Sequence, residues 1–403
     1  MNILYLAHRI PYPPNKGEKI RAFHQIRQLA KAHSVYLACL IDEEEDWQFV
    51  PTLETCCAAV DVVARQSLVT RWKTARALLS QTPLSVAAFY VDELYRKIQH
   101  RLSSVRFDCL FAFSAVMAEY VRAVPDIPKI MDFVDVDSEK WRTYANRHAF
   151  PLSWVYRLEA DRLARYEEDI ARTFDLSLFV TEQEKLLFQK RVADCPIAVI
   201  PNGVDLEYFL PAPRLASRPP AVIFVGAMDY FPNVDAVQYF CDEIFPLIRK
   251  VVPETRFYIV GRNPTRQVQS LGARPHVVVT GAVQDVRPYL AEAMVAVAPF
   301  RIARGIQNKV LEAMAAGLPV VGTPTVFQGM HVTPADGARK ADEARSFAQE
   351  VLAFLTNPGL FQTSARAARQ YVERDHQWSE QGKQLEQLLH SLVPEAMPQY
   401  AQL

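Results

Sequence analysis

The sequence predicts an α/β protein of two Rossmann-like, doubly wound domains facing a cleft, and three observations carry that prediction. The chain has 403 residues, more than the roughly 250 to 300 at which a single hydrophobic core stops growing. Short β-rich runs alternate with longer amphipathic stretches from end to end, the pattern of parallel strands joined by crossover helices. Residues 210–220 hold four prolines, which remove helix and central-strand options there. The chain therefore divides into a first domain at 1–209, a linker at 210–220 and a second domain at 221–375. A terminal amphipathic helix follows at 376–403; packing on its own domain is its plain reading and crossing back to the first domain is the alternative.

In order along the first half, strands are expected at Asn2 to Ala7, Val35 to Ile41, Val60 to Val63, Cys109 to Phe113, Lys129 to Phe133, Leu176 to Val180 and Ile197 to Ile200. In the second half they are expected at Ala221 to Val225, Arg256 to Val260, Val277 to Thr280, Val295 to Ala298 and Val320 to Gly322. Most are near-continuous apolar runs, as required where helices cover both faces of a sheet.

Lys plus Arg and Asp plus Glu both number 45, so no bulk charge draws the chain to nucleic acid. The six cysteines form no Cys-x-x-Cys pair and several sit in apolar runs; reduced thiols point to a cytoplasmic address. The opening residues have a short apolar stretch without a basic lead-in and are expected to be a strand, not a secretory signal. No window approaches about 18 apolar residues, so no membrane span is expected.

The residues richest in chemistry run from Gly305 to Gly322. A glycine-bearing loop enters a helix near Asn308 that stops at Gly317, where a left-handed cap suits glycine. Backbone N–H groups and the helix dipole favour an anion at such an N-terminus. Lys309 in the first turn is unfavourable in dipole terms and fits a phosphate. Glu312, one turn deeper, can accept two hydroxyl hydrogen bonds, as a carboxylate holding a ribose does.

Lys309-Val-Leu-Glu312-Ala-Met-Ala-Ala-Gly317-Leu-Pro-Val-Val resembles the C-terminal signature of the retaining glycosyltransferases of family 4, which have the GT-B fold. The resemblance implies that Glu312 binds the donor ribose. The first glutamate of that family's motif falls at Arg304; with Lys309, Arg304 suggests paired cations on the diphosphate, where charge develops as the sugar–phosphate bond breaks. Pro201 to Asp205, Phe224-Val-Gly226-Ala-Met-Asp, Val260-Gly-Arg262-Asn-Pro and Thr280-Gly-Ala-Val283-Gln-Asp285 continue the match. They add Gly226, Gly305, Asn308, Arg262 and Val283 to the expected donor site. The basic pair often found after the family's glycine is replaced here by Ala227 and Asn233.

In the first domain, Arg9 to Arg21 follows the opening strand, at the strand end where open α/β sheets bind ligands. Gly17, Lys16, Lys19, Arg21 and His8 are the acceptor-side candidates, with the cations facing a diphosphate. Pro13-Pro-Asn-Lys-Gly-Glu-Lys-Ile-Arg21 resembles the sugar transferases of exosortase and PEP-CTERM exopolysaccharide systems. Asp132, Asp135 and Asp137 lie at another strand end; Asp135, then Asp132, are candidates for acceptor contact or base, while Asp137 and Ser138 are expected to cap the next helix. Asp135-Val-Asp137 also looks like a divalent-cation motif, but no metal is expected, because enzymes of this kind place cationic side chains on the diphosphate. No two of the histidines stand at i, i+4. Arg71, Trp72, Lys73 and Arg76 read as a solvated helix face, with an anionic membrane surface as the alternative.

These resemblances imply transfer of a sugar from a nucleotide-sugar donor to a glycan or lipid-linked acceptor in exopolysaccharide or cell-surface glycan synthesis, with retention, without a cofactor and with peripheral contact at the inner membrane face. A nucleotide-sugar 2-epimerase and a non-catalytic sugar-nucleotide-binding protein are the alternatives.

Overall fold

A computed structural model of the chain describes residues 1–65, 67–212 and 219–393, without the side chains of 67–71. Two compact units emerge: Met1–Pro201 together with the terminal helix from Ser379, and Asn202–Trp378.

The first unit holds a seven-stranded sheet of β1 (Asn2–Ala7), β2 (Ser34–Ile41), β3 (Ala59–Ala64), β4 (Cys109–Phe113), β5 (Lys129–Val134), β6 (Leu176–Phe179) and β7 (Ile197–Val199). All neighbours are parallel and the order is β3-β2-β1-β4-β5-β6-β7. Leu4 and Leu6 of β1 pack into one core while Ile3, Tyr5 and Ala7 pack into another on the opposite face. That two-sided burial is why the strand reads as an unbroken apolar run.

The second unit repeats the arrangement with β8 (Ala221–Val225), β9 (Arg256–Val260), β10 (Val277–Gly281), β11 (Val295–Ala298), β12 (Val320–Gly322) and β13 (Ala338–Lys340). Its order is β10-β9-β8-β11-β12-β13, again all parallel. Each sheet is thus wound outward from its first strand and then resumed on that strand's other side. The reversal leaves a topological switch point between β1 and β4 and another between β8 and β11, and ligands bind beyond the carboxyl ends of such strands. β13 has no sequence signal because an edge strand of three residues, two of them cationic, carries no apolar run.

The units part at Pro201/Asn202, earlier than the proline-rich stretch, of which residues 213–218 lie outside the described residues. Residues 202–212 stay with the second unit for a definite reason. The Val204 N–H donates to the His376 carbonyl (2.8 Å), and the Arg369 guanidinium donates to the carbonyls of Leu206, Phe209 and Ala315 at 3.2, 2.6 and 2.8 Å. The terminal helix, Trp378–Leu392, inserts Leu385 and Leu389 into the core of the first unit. Gly382 permits its close approach: a Cβ there would stand 2.7 Å from Gln28.

Candidate functional site

At the carboxyl edge of the second sheet, the loop after β11 turns through Gly305 (φ 60°) into the helix Asn308–Ala315. Gln307 at the N-cap makes no side-chain cap; its amide donates to the Arg304 carbonyl at 2.8 Å instead. Lys309 reaches across this edge. Its Nζ donates to Asn233 Oδ1 at 2.6 Å and lies 5.1 Å from the ring centre of Phe224 on β8 and 4.8 Å from that of Phe300 beyond β11. The ammonium therefore spans the switch point, with two aromatic faces as its floor.

Close approach of backbone demands glycine at position 261, and the ends of two side chains crowd Gly226. A Cβ on Gly226 would stand 2.8 Å from Asn233 Nδ2 and 3.0 Å from Lys309 Nζ, and one on Gly261 would fall 1.7 Å from the Gly226 carbonyl oxygen. Asn233 is held in turn by donation from its Nδ2 to the Ala227 carbonyl at 2.8 Å. Burial pushes the Lys309 ammonium down to about 7 against the opposing pull of Glu312, and burial likewise pushes Glu312 up to about 7 against Lys309. The Glu312 carboxylate has no hydrogen-bond partner among the described residues. A poised cation and an uncommitted carboxylate one turn apart can take a phosphate and a pair of hydroxyls.

The other expected donor residues divide. Arg304 and Gly305 lie half-buried on the loop before the helix. Asn308 opens the helix, but its side-chain Oδ1 accepts from Asn202 Nδ2 at 2.9 Å and ties down the entry to the unit. Arg262 follows β9, where its carbonyl accepts from the Met228 N–H at 2.8 Å. Val283 packs against the unit's core. Asn233, which the sequence marks only as a replacement within the resembled motif, takes its place in the site through its hydrogen bond with Lys309.

In the first unit the cations of the opening loop are largely spent on structure, which corrects the expectation that they face a diphosphate. Gly17 begins the helix Gly17–Leu29 with Lys16 at its N-cap. Lys16 Nζ is 3.8 Å from Glu43 and Lys19 Nζ is 3.1 Å from Asp46, with Lys19 only 5% exposed. Arg21 and Asp132 are both fully buried and paired at 2.8 Å. Arg21 also donates to the Ile200 carbonyl (2.8 Å), while Asp132 accepts from Gln25 Nε2 (2.7 Å) and the Val134 N–H (3.0 Å). Asp132 is thus a structural carboxylate rather than a base. The pairing joins residues 111 apart in sequence, which no local pattern discloses.

His8 and Asp135 behave differently. The His8 ring stacks on Phe113 (5.9 Å between centres) and meets the edge of Phe89 (5.5 Å), and its Nδ1 is buried without a hydrogen-bond partner. Burial, more than any neighbouring charge, holds its pKa down at about 4, so the ring is neutral. Asp135 Oδ1 is likewise buried without a partner, and burial, reinforced by Glu184 and Asp137, raises its carboxyl to about 7. Between their strand ends the backbone turns through Ser114 (φ 75°) and Val134 (φ 68°). A β-branched residue in that region stores about 1 to 3 kcal/mol of strain, a cost that clusters at functional sites.

Asp137 and Ser138 do not cap the helix Asp137–Ala145, whose N-cap position is Val136. Distant carboxylates do so instead: Glu184 accepts from the Val136 N–H (2.8 Å), and Glu167 accepts from the Ser138 N–H (2.9 Å) and hydroxyl (2.5 Å). Asp137 sits 3.4 Å from Lys140. On the basic helix Trp72 is exposed and Lys73 pairs with Asp92 at 2.8 Å, while the Arg71 side chain lies outside the described residues. No helix among the described residues is long and apolar enough to cross a membrane.

Residues 219–357 match the family described as glycosyl transferases group 1. No curated protein matches the chain by sequence. Among solved structures, sucrose-phosphate synthase from Thermosynechococcus elongatus is similar with a TM-score of 0.70 and 17% identity, covering 97% of this chain and 99% of that one. HepE of Anabaena, solved in complex with UDP and glucose, gives 0.67 and 17% over 97% and 100%. WaaG, a glycosyltransferase involved in lipopolysaccharide biosynthesis, gives 0.66 and 18% over 97% and 100%. These likenesses show the fold: two parallel, doubly wound α/β domains of the GT-B type. The matched domain supplies the class: the second unit carries a glycosyl transferases group 1 domain.

Proposed function

We propose that the chain moves a sugar from a nucleotide-sugar donor to a glycan or lipid-linked acceptor with retention of configuration, in exopolysaccharide or other cell-surface glycan synthesis in the cytoplasm, peripherally at the inner membrane face. The observation that carries this reading is Lys309 at the switch point of the second sheet, with the carboxylate of Glu312 uncommitted one turn away. In this reading the second unit holds the donor, with Lys309 and Arg304 on the diphosphate and Glu312 on the ribose. The bond from the anomeric carbon to the leaving diphosphate breaks as the acceptor oxygen bonds to the same face. The departing phosphate oxygen takes the acceptor's proton, and no metal is called for. Asp135 and His8, with Oδ1 and Nδ1 buried and unmatched, hold the acceptor in the first unit.

Incubating the purified chain with a panel of labelled UDP- and GDP-sugars, with and without glycan or lipid-linked acceptors, tests the reading. Acceptor-dependent release of nucleoside diphosphate with an α-linked product from an α-linked donor is expected. Epimerised UDP-sugar formed without acceptor would establish the epimerase instead, and tight binding with neither transfer nor hydrolysis across the panel would establish a binding protein.

A pH dependence follows from the same pair. Diphosphate binding needs Lys309 charged and ribose binding needs Glu312 ionised, and both titrate at about 7. UDP or GDP affinity measured by calorimetry from about pH 5.5 to 9 is therefore expected to pass through a maximum. It declines on the acid side as Glu312 protonates and on the alkaline side as Lys309 loses its proton. A bound diphosphate favours the ammonium, so the alkaline decline begins at the pKa of the free chain and levels off at the higher pKa of the complex. A flat profile would remove the pair from the donor site.

A further inference from the structure

One side chain ahead of β2 and two on the terminal helix converge on the face where that helix packs against the first unit. His33 lies just ahead of β2, and Glu386 and His390 stand one turn apart on the helix Trp378–Leu392. His33 Nε2 is 3.2 Å from Glu386 Oε1, His390 Nε2 is 3.7 Å from the same oxygen, and the two imidazole ring centres are 6.1 Å apart. All three ligand atoms fall within 4.8 Å of one another. We propose that His33, Glu386 and His390 form a binding site for a zinc-class divalent cation, which clamps the terminal helix to the first unit.

The geometry is close to what such an ion requires. Bonds of about 2.0 to 2.1 Å in tetrahedral array set ligand atoms roughly 3.3 Å apart. The two imidazole–carboxylate distances bracket that value already. Only the gap between the imidazoles must close, and His390, with 44% of its side chain exposed, has room to turn. The His33 side chain is only 5% exposed, and its Nε2, 3.2 Å from the Glu386 carboxylate, is a buried nitrogen without a hydrogen-bond partner. Two imidazoles and one carboxylate are the donor set that zinc takes in open sites, leaving a position for water. The clamp is also well founded mechanically. Leu385 and Leu389, between and beside the two helical ligands, are buried in the core of the first unit, so the ligand-bearing turn is fixed against it. No role in the proposed transfer is attached to this site, which is independent of the donor residues.

The test is titration of the full chain, previously stripped with chelator, with ZnCl2 by calorimetry and with CoCl2 by visible absorption. One saturable equivalent is expected, with the intense d–d bands of low-coordinate cobalt and a rise in melting temperature that chelator reverses. His33→Ala, His390→Ala and Glu386→Gln are each expected to weaken binding by about tenfold or more while leaving the circular dichroism and the metal-free melting profile of the first unit unchanged, which shows that the variants fold. The absence of saturable binding by the unaltered chain would overturn the proposal. So would unaltered affinity in both histidine variants. Cys56 and Cys57 offer a rival locus, with their sulfurs 4.0 Å apart; binding lost in Cys56→Ser and retained in His33→Ala would likewise overturn it.

Discussion

Lys309→Ala is expected to weaken binding of UDP or GDP about 10- to 100-fold. A hydrogen bond to a charged partner contributes about 1.5 to 3 kcal/mol, and about 1.4 kcal/mol corresponds to a factor of ten. The alanine removes the ammonium suspended between Phe224 and Phe300 and leaves Asn233 Oδ1 without its donor. Lys309→Met separates these effects, because it keeps much of the packing on the rings and deletes only the charge. Both variants are expected to lose affinity to a similar degree in calorimetry, with circular dichroism unchanged. Wild-type affinity in Lys309→Met would mean that the ammonium touches no phosphate. The reading of the second unit as the donor unit would then lose its principal support.

The second large effect concerns stability. Asp132→Ala is expected to destabilise the first unit by about 3 to 5 kcal/mol, because it strands a buried guanidinium. Arg21 and Asp132 are both fully buried, and the carboxylate also satisfies Gln25 and the Val134 N–H. Removing it orphans three donors at once. The effect is to be read as a lowered transition for the first unit in thermal unfolding, since a chain of two units has no single unfolding free energy. UDP affinity of the folded protein is expected to be unchanged, because Lys309 and Glu312 belong to the other unit. Loss of activity with an unaltered melting profile would return Asp132 to the chemistry.

The contrast between these two residues marks the limit of what a local stretch of sequence discloses about a site. Lys309 and Asp132 are both charged residues at the carboxyl end of a strand or the start of a helix, the standard location of α/β sites. Lys309 keeps that role because its partners are an amide and two rings. Asp132 loses it because Arg21, on a helix more than a hundred residues earlier, turns inward to meet it. Lys19 departs from its expected role for the same reason, since Asp46 lies beyond the following strand. Ser138 does so because Glu167 supplies the cap from another helix.

By itself the sequence determined the α/β class and the strands, apart from the short edge strand β13, because apolar periodicity is local and two-sided burial writes it into consecutive residues. It also determined the helix that bears Lys309 and Glu312, through a glycine-bounded loop and a run whose spacing puts both residues one turn apart. Only the tertiary structure decided which charges are free and which are buried in pairs. It alone also set the poise of Lys309, Glu312 and Asp135, the unit that keeps the terminal helix, and the meeting of His33 with Glu386 and His390. Each of these depends on desolvation or on partners contributed by remote segments. A charge's energy is set by what surrounds it in three dimensions, and that environment leaves no local period in the chain.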